Sequence, residues 1–153
     1  MVKQQKERRY LDMAAKTISL TFDGYWREPN KGGIPKQGGV YVVYECSYNS
    51  EGGTVSLLKV IYIGEAADAN ERVANHEKWP EWRKHCGGSN EICFSFAPAA
   101  NPDRERGEAA LIYKHKPPVN EEYKDNFPFD ETTMKLTGKT ALLYTEFTVQ
   151  RKD

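Results

Sequence analysis

The stretch GVYVVYECSYNSEGGTVSLLKVIYIGEAADANERVANH, residues 39–76, decides how the chain folds. Val40–Tyr48 is rich in Val and Tyr, residue types that suit a pleated, half-buried surface, and it reads as a strand. Asn49–Gly53 is a turn signal, and Val55–Ile63 reads as the returning strand of a β-hairpin. Asp68, with Glu71 three residues on, is a capping-box-like start for a helix that can continue over Asn70–Trp79. In an antiparallel hairpin the start of one strand lies beside the end of the other. Gly39-Val40-Tyr41 and Tyr62-Ile63-Gly64 therefore fall side by side, and two tyrosine hydroxyls converge at the open end of the sheet.

Working outward, Thr17–Phe22 alternates Ile18, Leu20 and Phe22 with polar neighbours, which is strand period. Arg27–Gly38 holds two prolines and three glycines and reads as a loop. Pro80 can open a second short helix through His85, with Gly87-Gly88 as its stop. Glu91–Phe96 reads as a third core strand. Asn101 can cap a helix, Pro102 suits its first position, and the helix runs to about Lys116 before Pro117-Pro118 ends it. Residues 119–139 read mostly as loop, and Ala141–Val149 as a last strand. The order β–β–β–α–α–β–α–β lacks strict βαβ alternation and predicts an α+β fold on a mainly antiparallel sheet. With 153 residues and no repeat or linker, residues 1–153 read as a single domain.

Composition narrows the class further. Hydrophobic residues make up 39% of the chain and charged residues 29%, which fits a soluble globular protein and argues against disorder. No apolar run approaches the ~18 residues of a membrane span, and the charged start MVKQQKERRY lacks the apolar stretch of a signal peptide. Cys46, Cys86 and Cys93 are odd in number and without zinc spacing, so they read as free thiols in a reducing cytoplasm. The 22 basic residues match the 22 acidic ones, so any attraction to nucleic acid must come from local patches. Candidate patches are Lys3, Lys6, Arg8 and Arg9; Lys78, Arg83 and Lys84; Arg104 and Arg106; and Lys114 and Lys116. The acids gather elsewhere, at Glu121, Glu122, Asp125, Asp130 and Glu131.

Three further residues carry potential chemistry. Arg72 and His76 are four apart, which places them on one face of the expected helix. A guanidinium fork matches two phosphate oxygens. Glu108 projects between Leu111 and Ile112 on the wheel of its helix, and a poorly hydrated carboxylate calls for a partner such as a hard divalent cation. A cluster of His85, Cys86 and Cys93 fits no standard zinc pattern. Trp79 and Trp82, flanking Pro80, read as core or cap packing rather than as a base-stacking surface.

Taken together, this spacing resembles the GIY-YIG endonuclease superfamily. Tyr62-Ile63-Gly64, a ten-residue step to Arg72, and His76 four later look like that family's second motif and the residues downstream of it. Gly39-Val40-Tyr41 stands where the first motif stands, with Val for Ile. Glu108 sits in a helix in the position of the family's metal-binding glutamate, and Asn120 is similar to its late asparagine. The order most resembles the restriction-endonuclease branch. The match covers residues 39–120, about half the chain. Two features depart from the pattern: twenty residues separate Tyr41 from Tyr62, and Glu65 brings a carboxylate next to a phosphate site.

The resemblance implies a small antiparallel sheet flanked by helices, extended here by the terminal strands. It implies metal-dependent hydrolysis of a DNA phosphodiester, with Glu108 holding one Mg²⁺ or Mn²⁺ and Arg72 stabilising charge on the phosphoryl group. Tyr62 would position phosphate or water, Asn120 would brace the site, and Lys78 and Arg104 would join Arg72 in holding nucleic acid. Tyr41 is the family's candidate base. A phenol titrates near ~10, so bringing it to ~7 needs roughly 4 kcal/mol of differential stabilisation. His76 starts near ~6.5. The expectation is that Tyr41 contacts the attacking water and His76 accepts or shares its proton. Neither a membrane nor an organic cofactor is implied, and a homodimer would supply the second site needed to cut both strands. The alternative is a non-catalytic nucleic-acid- or protein-binding module that keeps the fold.

Overall fold

The computed structural model describes residues 14–153. The basic segment at residues 1–10, with Lys3, Lys6, Arg8 and Arg9, lies outside the described residues. The chain is a mixed α/β protein built on one curled six-stranded sheet with few helices. In chain order its elements are β1 (Lys16–Arg27), β2 (Gly39–Asn49), β3 (Thr54–Ala66), α1 (Ala69–Ala74), α2 (Trp79–Lys84), β4 (Glu91–Pro98), α3 (Asp103–His115), β5 (Thr132–Gly138) and β6 (Glu146–Val149). Glu28–Gly33 forms a short 3₁₀ segment within the expected loop. The strand order is β3-β2-β4-β1-β5-β6.

The expected hairpin is present as β2 and β3, paired antiparallel with Tyr41 opposite Gly64 and Val43 opposite Tyr62. Two bulges on β3 absorb its extra length, where the register steps between Val43 and Tyr44 and again between Glu45 and Cys46. The motif ends therefore keep their alignment although the hairpin is long. The register also explains the glycines of the motifs. A Cβ on Gly64 would collide with the Tyr41 Cζ and hydroxyl oxygen, and one on Gly39 would overlap the Ala97 carbonyl and the Phe96 ring. Each aromatic ring thus occupies the space that a side chain at the glycine would need.

Apolar residues sort onto two faces. On one, Val40, Val42, Ile63, Ile18, Leu20 and Phe22 bury against Ala109–Ile112 of α3. On the other, Tyr41, Val43, Ile61, Phe94 and Phe96 bury with Ala69 and Val73 of α1 and Trp82 of α2. Alternation along the strands produces this division, since successive side chains point to opposite faces. The outer edge of β3 is covered in part by the loop after α3. Val119 N–H donates to the Ile61 carbonyl (3.2 Å). Asn120 pairs with both backbone groups of Ile63, accepting at 2.9 Å and donating at 2.8 Å. Its amide acts as a one-residue strand on that edge.

Several expectations are corrected. Thr132, Met134 and Leu136 are buried in period-2 alternation, so part of the expected loop 119–139 is β5, and it pairs parallel with β1. The sheet is antiparallel at every other pairing, and the last strand is shorter than expected. The helix expected over Asn70–Trp79 stops at Ala74. Cys46 and Cys93 are not free thiols: they form a disulfide between β2 and β4, with Cα atoms 6.2 Å apart. Cys46 lies opposite Glu91 and Cys93 opposite Tyr44, which makes the cysteines diagonal neighbours on one face. Cys86 is free. The cytoplasmic reading drew on three free thiols and loses that support. No helix among the described residues is long and apolar enough to cross a membrane.

The packing of Gly39 gives a direct check. Gly39→Ala should destabilise the fold by roughly 2 kcal/mol or more, because carbonyl and ring must both move. Chemical denaturation of the purified variant measures this, and a midpoint equal to wild type would contradict the described register.

Candidate active site

The candidate residues meet where the open end of the hairpin faces α1 and α2. The Tyr41 and Tyr62 ring centroids are 6.4 Å apart. His76 lies 6.3 Å from Tyr41 and 5.2 Å from Tyr62, edge-on to both rings. Trp82 closes the stack beneath, 4.6 Å from His76 and 5.6 Å from Tyr62. Trp82 is fully buried, in keeping with its reading as a packing residue.

His76 reaches this place because α1 ends early. Asp68 accepts a hydrogen bond from Glu71 N–H and starts the helix as its sequence suggests. Asn75 then donates through its side chain to the Glu71 carbonyl, and the Trp79 indole N–H donates to the Val73 carbonyl at 2.7 Å. The Glu71 carbonyl still accepts its helical bond from the Asn75 backbone N–H, but the indole takes the Val73 carbonyl that a continuing helix would offer to Glu77, and the helix stops. His76 is consequently not on a helical face with Arg72; it turns inward just past the end.

The bonding of His76 fixes its proton. The Lys78 backbone N–H donates to Nδ1 at 3.0 Å. Nδ1 must then be the acceptor, and the neutral ring carries its hydrogen on Nε2. Nε2 is buried and has no hydrogen-bond partner among the described residues. Burial first, and Arg72 second, push the imidazole down to about 4. At neutral pH His76 is therefore uncharged.

The two phenols are shifted the other way. Burial holds Tyr41 well above its ordinary 10, with Tyr62, Glu108 and Glu65 adding to the effect and Arg72 opposing it. Tyr62 is pushed up to about 12, by burial first and Glu108 second. Arg72 acts on both rings in the opposite direction, but burial outweighs it. Its own fork is occupied: Nη1 and Nη2 bind the two carboxylate oxygens of Glu77 at 2.7 and 2.9 Å. Glu77 is 64% exposed at its side chain, so this clasp lies at the surface.

Glu108 stands one helix away, on α3. It lines a cleft of about 240 Å³ with Tyr62, Lys78, Asn120 and Glu122, among others. Burial, followed by the carboxylates of Glu65, Glu122 and Glu105, pushes Glu108 up to about 8, against a hydrogen bond from the Glu65 backbone N–H. Among the described residues no cluster of three or more His, Cys, Asp or Glu side chains could hold a metal. An ion here would rest on Glu108, with waters and substrate oxygens filling most of its shell, which is how Mg²⁺ is commonly held. A carboxylate crowded by other carboxylates suits such an ion, because a divalent cation would relieve the repulsion.

The remaining candidates are distributed differently. Asn120 braces Ile63 from the edge of β3, as described above, and borders the cleft. Lys78 also borders it, with its ammonium on Glu121 at 3.2 Å. Arg104 is paired with Glu65 at 2.6 Å and lines a separate cleft. Arg106, counted with Arg104 as a basic patch, is buried and donates to Thr132 and to the Ala14, Asp130 and Glu131 carbonyls. It pins the start of β1 to β5 and is not part of a surface patch. His85, Cys86 and Cys93 do not make a metal cluster, because Cys93 is in the disulfide and His85 contacts Lys59. Sequence reasoning missed Glu77; an acid five residues past the arginine is a weak signal that only the turn makes a clasp.

No family profile, curated protein or solved structure matches this chain.

Linkage at His76 is testable. A depressed folded-state pKa means that the unfolded chain binds the proton more readily between about 4 and the ordinary 6.5. His76 therefore lowers stability as pH falls through that window and leaves it unaffected above. His76→Asn keeps an acceptor for Lys78 N–H without titrating. It should remove an acid-side loss on the order of 2–3 kcal/mol. Denaturation curves between pH 7 and 4 measure it, with ¹⁵N NMR expected to report the Nε2–H tautomer at pH 7.

Proposed function

We propose that this chain is a GIY-YIG-like endonuclease that hydrolyses DNA phosphodiester bonds with a divalent metal, Mg²⁺ or Mn²⁺. The observation that supports it best is convergence. Tyr41, Tyr62, His76 and Asn120 meet around the end of the β2–β3 hairpin, and Glu108 shares a cleft with Tyr62 and Asn120. Arg72 is close enough to influence both phenols.

In this reading the substrate phosphate takes the Arg72 fork from Glu77, exchanging one bidentate anion for another. The Tyr62 hydroxyl orients that phosphate or the water beside it, and Tyr41 lies under the same point. A metal held by Glu108 would supply Lewis-acid stabilisation of the oxygen that leaves. The attacking water loses a proton as its oxygen bonds to phosphorus. In the family-based expectation that proton reaches the Tyr41–His76 pair. With Nε2 already protonated, His76 can take it only at Nδ1, once the Lys78 N–H has given up that nitrogen.

One observation favours the second reading, a binding module without catalysis. Arg72, Lys78 and Arg104 are each paired with an acid, Glu77, Glu121 and Glu65 respectively. Arg72, whose whole fork is taken, attracts phosphate weakly until Glu77 moves.

Incubation of plasmid with Mg²⁺, Mn²⁺ or EDTA decides between the two. Cleavage should require the metal and fall at least ~100-fold in Glu108→Ala, the order expected for loss of a principal electrostatic group. Glu77→Gln should tighten DNA binding severalfold, since the fork no longer holds a charged competitor. No metal-dependent nicking of duplex or branched DNA, with binding retained, would favour the module.

A further inference from the structure

Beside the cleft that holds Glu108 lies a second one of about 440 Å³, lined by Gln37, Gly38, Ala67, Pro98–Ala100 and Arg104. Arg104 is its only charged lining residue among the described residues. Its Nε is bound to Glu65 at 2.6 Å, which fixes the plane of the guanidinium by one edge. The end-on edge, Nη1 and Nη2, makes no hydrogen bond to the described residues, and it is the edge that can receive two anion oxygens. Gly38 creates the room. A Cβ there would sit 2.7 Å from Arg104 Nη1, so the guanidinium lies against the bare Cα of a glycine.

Position along α3 gives this cleft its meaning. Arg104 and Glu108 are one helical turn apart and on the same face, a separation of about 6 Å along the axis. That is of the same order as the step between successive phosphates of one nucleic-acid strand. Glu65 joins the two places: its side chain holds Arg104, and its backbone N–H donates to Glu108.

We infer that the cleft at Gly38 and Arg104 is a phosphate subsite that receives the phosphate next to the one being cut. The inference rests on the nuclease reading and deepens it. Arg72 binds the reacting phosphate, whereas Arg104 sets the register of the strand by holding its neighbour. Glu65, an oddity in the motif when read as sequence, is then the residue that aims Arg104.

The test uses a DNA oligonucleotide that the full-length protein cuts, with single phosphates replaced in turn by uncharged methylphosphonates. In wild type, neutralising the phosphate adjacent to the cleaved bond should weaken binding roughly tenfold, the value of one bidentate charged contact. In Arg104→Gln that same replacement should have no further effect, and the slope of log affinity against log salt should fall by about 1. Gly38→Ala keeps the charge but displaces Nη1, and it should show the same loss of coupling, with an unchanged thermal midpoint confirming its fold. Wild type and both variants responding equally to every methylphosphonate would overturn the subsite while leaving the nuclease reading standing. Failure of wild type to bind or cut any DNA would overturn the reading, and the subsite with it.

Discussion

The pairing of Tyr41 with Gly64 across the hairpin is the constraint on which the rest depends. It places a large ring directly over a residue with no side chain, so the ring lies against the sheet at its open end. Two steps along, the same register sets Tyr62 opposite Val43 on the same face. His76 and Trp82 can stack there only because the two rings already form a wall. Slip β3 by one residue and Tyr62 would turn to the other face of the sheet, where α3 already packs, while Tyr41 would meet a Cβ in place of a glycine. The two bulges on β3 are therefore more than irregularities. They let a long hairpin reach its turn without shifting the paired ends.

Electrostatics around this wall are tightly compensated. Arg72, Lys78 and Arg104 each have a carboxylate of their own, whereas Glu108 is crowded by other carboxylates. Burial then raises Glu108 and both tyrosines and lowers His76, so each is held in its neutral form more firmly than water would hold it. Such an arrangement is balanced by itself, yet it suits the joint entry of anions and a cation. A phosphate displaces Glu77 from Arg72, while a divalent ion takes the negative charge that Glu108 cannot carry alone.

The early end of α1 matters as much as the helix itself. Had it continued to Trp79, His76 would have shared a solvent-facing stripe with Arg72. The indole of Trp79 occupies the Val73 carbonyl that continuation needs, and the chain turns His76 into the wall with Nδ1 committed to a backbone N–H. A local competition for one hydrogen-bond acceptor, the Val73 carbonyl, thus helps bring the imidazole beside the two phenols.

Much of this was legible in the residues themselves. Period-2 alternation and the NSEGG turn marked the β2–β3 hairpin, Asp68 marked the start of α1, and Pro117-Pro118 marked the end of α3. Asn101 caps α3 as expected, although from one residue further out, by accepting Glu105 N–H. Element order predicted a mixture of helices around a mainly antiparallel sheet, and the observed mixed α/β architecture is compatible with it. β5 was hidden because Thr132–Gly138 is short and flanked by loops, and its parallel pairing with β1 joins strands more than a hundred residues apart. The disulfide was hidden by an odd cysteine count, which says nothing about which two thiols a sheet brings diagonally together. Local pattern sets which residues alternate, cap and turn, because those depend on neighbours in the chain. Burial, the tautomer of His76, and the pairing of Arg72, Lys78 and Arg104 with acids were decided only by the tertiary structure, since each is fixed by groups that the fold brings near and by the water it removes.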